Sequence, residues 1–144
     1  MKIKKRLLAT LGLCMVFFCG FSTIVSAGTL YTGPVKTHSI YSYHLSASAN
    51  TGQAPKQVAS NGYAQSASKI GSISATAYVF NNSGTVIKSG YSGVKTNANF
   101  ASAHASYAGW PSGATYCWGS INASFQDRAH GNFLGTDTST KLYK

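Results

Sequence analysis

Few side chains in this sequence carry reactive chemistry. Cys117, His38, His44, His104, His130, Asp127 and Asp137 are the candidates outside the N-terminal apolar stretch, and there is no Glu. Cys117 is the obvious nucleophile. A cysteine nucleophile needs an imidazole to hold its thiolate and a third group to orient that imidazole, and His104, His130 and Asp127 are of the right types. Yet Cys117 lies on the same alternating face as Ile121, Ala123 and Phe125, so it is expected to pack as a small hydrophobe. A cysteine-dependent enzyme is the alternative. No Gly-x-Ser-x-Gly elbow accompanies the many serines. A glycosidase pair would need both aspartates at one bond. Structural zinc prefers close Cys or His pairs, and the i,i+3 pair Asp127 and His130 supplies too few ligands. The expectation is a protein that is not an enzyme and has no metal and no cofactor.

Binding chemistry is better supplied. The chain carries 12 Lys and Arg against 2 acids. Lys36, Lys56, Lys69, Lys88, Lys95, Arg128, Lys141 and Lys144 are scattered and form no cluster of the nucleic-acid type, so no nucleic acid is expected. With so little negative charge to cancel it, the positive field should attract polyanions, such as phosphate-rich wall polymers or anionic lipids. Trp110, Tyr116 and Trp118 form the densest aromatic group, and Tyr78 with Phe80 lies on the more polar side of its segment. Such rings either stack on sugars or a membrane interface, or they supply bulk to a core poor in aliphatic residues. The candidate ligand-binding residues are Trp110, Tyr116, Trp118, Tyr78, Lys88 and Lys95. His44 and His104 sit among serines on the polar sides of their segments. They form a pH-responsive pair if those segments are neighbours and are solvated if not.

The elements that would hold these residues follow from the periodicity. Residues Met1–Ala27 read as a secretory signal peptide: Lys2, Lys4, Lys5 and Arg6, an apolar run from Leu7 to Val25, and a small-residue cleavage pattern at Val25-Ser26-Ala27. An uncleaved anchor is the alternative. Cleavage leaves one domain, 28–144, and lowers the net charge from +10 to +6, because four basic residues leave with the leader. It also leaves Cys117 alone, so this domain is expected to fold without an internal disulfide, in the manner of a Gram-positive secreted protein.

Beyond the leader the apolar period is two, the strand period. Tyr41–Ala49, Ser72–Phe80, Asn99–Tyr107 and Thr115–Phe125 each put Ala, Ile, Val, Leu or aromatic residues on one side and mostly polar residues on the other. Gly62–Ile70 and Thr85–Tyr91 are weaker candidates. Asn50-Thr51-Gly52, Ser60-Asn61-Gly62, Ser92-Gly93 and Trp110–Gly113 read as breaks, and Asn81–Gly84 as a hairpin turn. Residues Gln126–Lys144 suggest one edge strand and a mobile tail. The expected fold is all-β, a small antiparallel β-sandwich of Ig-like or jelly-roll-like type. Two of the alternating segments also have the length of membrane-inserting hairpin strands, and the weakly charged edges allow self-association.

In composition residues 28–144 resemble small secreted proteins and bacteriocin-like antagonists of Gram-positive bacteria, which implies an extracellular location. The function expected is a secreted, non-enzymatic binder of an anionic cell-envelope or matrix polymer. A bacteriocin-like or membrane-active toxin is the alternative.

Overall fold

The computed structural model describes residues 28–52 and 56–144; the expected signal peptide lies outside the described residues. Among these residues there is no helix. Nine strands form one antiparallel sheet that is nearly closed. Its spine is β4, Gln57–Asn81, a strand of 25 residues. The first half of β4 pairs with β3, Tyr41–Asn50, on one edge and with β6, Lys95–Ala108, on the other. The second half pairs with β7, Tyr116–Gln126, on the β3 edge, and with β5, Val86–Tyr91, beyond β6.

β4 bends between these halves. The β4–β6 register breaks between Gln65 and Ile70, as at a bulge, where extra residues on one strand bend it. The inward-facing residues change parity just past this break: Val58, Ser60, Ala64, Ser66 and Ile70 are buried before the change, and Ile73, Ala75, Ala77 and Val79 after it. The bend lays β3 over β7, so the sheet folds onto its own inner face.

That inner face is made of small residues. Ala47, Ala49, Ala64, Ala75, Ala77, Ala101, Ala103, Ala105 and Ala123 are all buried, with Leu45, Ile73, Ile121, Val58 and Val79 among them. Where the halves meet there is no space for a side chain. A Cβ on Gly119 of β7 would lie 2.8 Å from Ala47 Cβ of β3, and one on Gly62 of β4 would lie 2.6 Å from Ile121 Cγ1 of β7. Ser60 Oγ donates across the same contact to the Ser120 carbonyl at 3.2 Å. Larger residues fill one end, where Tyr41 stacks on Phe125 at 4.6 Å between ring centres.

The free edges meet through side chains. β1, Gly28–Thr32, and β2, Lys36–His38, border β3; β8, Phe133–Thr138, and β9, Leu142–Tyr143, border β7. Thr29 Oγ1 donates to the Tyr143 carbonyl and accepts from the Tyr143 N–H, each at 3.2 Å. Lys36 Nζ reaches Asp137 Oδ1 at 2.7 Å, His38 stacks on Phe133 at 4.2 Å, and Tyr41 Oη donates to the Gly131 carbonyl at 2.6 Å. The Asp137 hydrogen bond holds the Lys36 ammonium above its ordinary pKa, against the opposing pull of desolvation.

The Asn81–Gly84 turn is a hairpin as expected. Asn81 Oδ1 accepts from the N–H groups of Ser83 and Thr85, and Gly84 takes the left-handed conformation, φ 79°. Two expectations are corrected. Ser60-Asn61-Gly62 is not a break but mid-strand, because its glycine serves the close approach to Ile121. The segment after Gln126 is not one strand and a tail but β8 and β9, with Leu142 fully buried.

The close approach is directly testable. Gly119→Ala should destabilise the fold by about 1–3 kcal/mol, the usual cost of overpacking. Ala47→Gly in the same chain should recover part of that loss. Urea unfolding midpoints of the two single variants and the double variant measure the coupling; strictly additive effects would refute the contact.

Candidate functional site

With the alanines and glycines facing in, many rings are left facing out. On β7, Cys117 and Gly119 are buried, so Tyr116 and Trp118 project from the outer face. On β4, Ala77 and Val79 are buried, so Tyr78 and Phe80 do the same. The register sets Phe80 directly opposite Trp118, and their rings stack at 3.9 Å with 5° between planes. Tyr78 packs on Phe80 at 5.9 Å. Tyr116 contacts Tyr143 of β9 at 6.1 Å, and Lys141 Nζ lies 4.4 Å from the centre of the Tyr116 ring, within cation–π range. Tyr78, Phe80, Tyr116 and Trp118 are each half-buried, while Tyr143 and nearby Val86 are exposed.

The strip continues along the same face as hydroxyls and amides. Thr76 is opposite Asn122, and Asn122 is opposite Thr136, whose Oγ1 donates to Asn122 Oδ1 at 3.1 Å. One sheet surface therefore offers rings at one end and hydrogen-bonding groups along its length. That combination suits a polymer of rings and hydroxyls.

Of the residues singled out in the sequence, this face unites Tyr78, Tyr116 and Trp118. It does not include Trp110, which lies in the loop between β6 and β7. The Trp110 indole N–H donates to the Ala114 carbonyl at 2.7 Å, and its ring packs against the core. Lys88 is opposite Val79 and Lys95 opposite Ile73, so both exposed lysines belong to the register of core-facing residues, away from the rings. The cation beside the rings is Lys141, which sequence reasoning left in a tail. Phe80 and Tyr143 complete the group; the alternation signalled Phe80, and nothing local signalled Tyr143.

The reactive candidates are placed separately. Cys117 is completely buried on the inner face, and burial pushes its thiol up to about 11, the reverse of what a nucleophile needs. Asp127 and His130 share a turn, His130 Nδ1 lying 2.6 Å from Asp127 Oδ2. This contact and the N–H of Ala129 hold the Asp127 carboxyl below its ordinary pKa. Among the described residues no three His, Cys, Asp or Glu side chains gather in a metal-binding group. His44 and His104 are not on adjacent strands; β4 runs between β3 and β6. They line one hollow on the other outer face, a shallow groove of about 310 Å³ bordered by Asn61, Tyr63, Phe100 and Ser102.

No protein-family model matches the chain, and no curated protein matches its sequence.

The burial of Cys117 fixes the sign of a pH effect. A thiol with the ordinary pKa of 9.0 when unfolded and about 11 when folded favours the native state fully below pH 9.0, and that preference is lost as pH rises through about 11. The stability difference between Cys117→Ala and the parent should be flat below pH 9.0 and should shift in favour of the variant above it. Denaturant titrations across that range measure it. In the protein without residues 1–27, where Cys117 is the sole thiol, Ellman's reagent should meanwhile react only after unfolding.

Proposed function

We propose that the chain is a secreted, non-enzymatic β-sandwich that binds an anionic glycopolymer of the cell envelope or extracellular matrix through its aromatic outer face. The contact of β3 with β7 inside a nearly closed sheet supports the sandwich reading. The observation that carries the binding reading is the outward cluster of Tyr78, Phe80, Trp118, Tyr116 and Tyr143 with Lys141 beside it. Soluble domains keep most of their large rings inside, and contiguous apolar surface usually marks a contact site.

Each part has a task. Ring faces and edges pack against the C–H surfaces of sugar units. The Thr76, Asn122 and Thr136 rows exchange hydrogen bonds with hydroxyls. Lys141 meets a phosphate or carboxylate group on the polymer, and the scattered lysines add long-range attraction that salt screens within about 10 Å at 0.1 M. None of these tasks requires a nucleophile or a metal.

Sedimentation with purified Gram-positive cell walls tests the reading. The protein with its leader removed should be retained at low salt. Trp118→Ala should weaken retention at least tenfold, about 1.4 kcal/mol, at every salt concentration, because it removes a contact of shape. Lys141→Ala should weaken it only at low salt. Walls chemically stripped of their anionic polymers should retain less protein. Absence of retention at low salt removes the proposal.

A further inference from the structure

We infer that the groove on the opposite outer face, over Ser102 of β6, is a second binding site, and that it takes a single neutral sugar ring. The register builds it from two adjacent rows across three strands. His44 of β3, Tyr63 of β4 and Ser102 of β6 form one row; Ser46, Asn61 and His104 form the next. Ser102 is the small residue in the middle. Phe100 and His104, the next outward residues along β6 on either side, rise at its flanks. At about 3.3 Å per residue their backbones stand about 13 Å apart, and the space between the two rings over Ser102 forms the slot.

The walls are chemically distinct. His44 stacks on Tyr63 at 5.4 Å and Tyr63 on Phe100 at 5.8 Å, so one side is a continuous aromatic ladder ending in Phe100, which is 49% exposed. The other side is polar. His104 Nδ1 is hydrogen-bonded to Asn61 Oδ1. Because the amide oxygen accepts, the ring donates through Nδ1. This leaves His104 Nε2 as an acceptor in the neutral ring and Asn61 Nδ2 as a donor beside it. An acceptor next to a donor, facing an aromatic wall, matches two neighbouring hydroxyls of a sugar whose C–H face lies on the ring. Among the described residues no Lys, Arg, Asp or Glu lines the groove, so nothing described there favours an ionic ligand.

This site is independent of the aromatic strip. The two lie on the outward sides of sheet halves that face each other, and each is built on its own half of β4. A chain with both would contact two glycan strands at once and act as a cross-link.

NMR titration of the isotope-labelled domain without its leader tests the inference, with chitotriose and cellotriose as probes. Saturable shifts should appear for Asn61, Tyr63, Phe100, Ser102 and His104 with at least one probe, at a Kd on the order of 1 mM. Ser102→Phe, a change at an exposed position that fills the slot, should weaken binding at least tenfold while leaving the remaining spectrum intact. Trp118→Ala should leave it unchanged, which separates this site from wall retention. No shift with either trisaccharide at about 20 mM, well above that Kd, would overturn the inference. So would shifts confined to the Trp118 face, or unaltered binding in Ser102→Phe.

Discussion

The approach of the two sheet halves is the constraint from which the other features follow. Packed sheet faces usually stand about 10 Å apart, filled by interdigitating side chains. Here Gly119 lies against Ala47 and Gly62 against Ile121, with no room for one further carbon at either place. A core this thin cannot take many rings. Tyr41 and Phe125 occupy its end, and alanine fills most of the middle. Tyr63, Tyr78, Phe80, Phe100, Tyr116 and Trp118 are therefore excluded from the interior by volume, whatever their hydrophobicity. They sit on the outer surfaces and shelter one another by stacking. The polar groups inside obey the same limit: Ser60 packs against the Gly119 backbone, and its hydroxyl finds a carbonyl across the gap.

The long bent strand turns that exclusion into two organised faces. β4 contributes Asn61 and Tyr63 to one outer surface and Tyr78 and Phe80 to the other. The change of parity between Ile70 and Ile73 lets one continuous strand serve both halves, because even-numbered residues face in before it and odd-numbered residues after it. Without that exchange Tyr78 and Phe80 would point into a gap that cannot hold them. The outer rings and the inner alanines are thus two consequences of one strand path.

Much of this was legible from alternation alone. The segments around Tyr41–Ala49, Asn99–Tyr107 and Thr115–Phe125 announced strands and the correct inward residues, Cys117 included. A period of two identifies faces without identifying neighbours, so the sequence could not say that Tyr63 would stand between His44 and Phe100, or that Lys141 would reach Tyr116. It also misled at Gly62. A glycine after Ser-Asn is commonly a turn, and only the facing Ile121 shows that its missing side chain serves packing. β1 and β2 were not seen because three- and five-residue edge strands carry too few alternations to register. The strands β8 and β9 were obscured by polar residues that suit an edge, although Leu142 is held at the core.

The scarcity of acids acquires a structural meaning at the seam. Asp137 is buried between edges that share no backbone ladder, where it holds Lys36. Asp127 caps its own turn and holds His130. Both carboxylates are thus committed to holding the fold, and among the described residues neither the ring-bearing strip nor the groove on the other outer face contains one. Among the described residues, Lys36 is the lysine with a carboxylate within ion-pair distance. A surface of this kind has a field of one sign at long range, and at short range it offers rings, hydroxyls, amides and imidazoles with the Lys141 ammonium beside them. Charge can then bring a polyanion close, but it cannot tell one polyanion from another. On the proposed binding reading, discrimination would fall to the shape and hydrogen-bonding pattern of the two faces, which rest on the strands of a tightly packed sheet and not on loops.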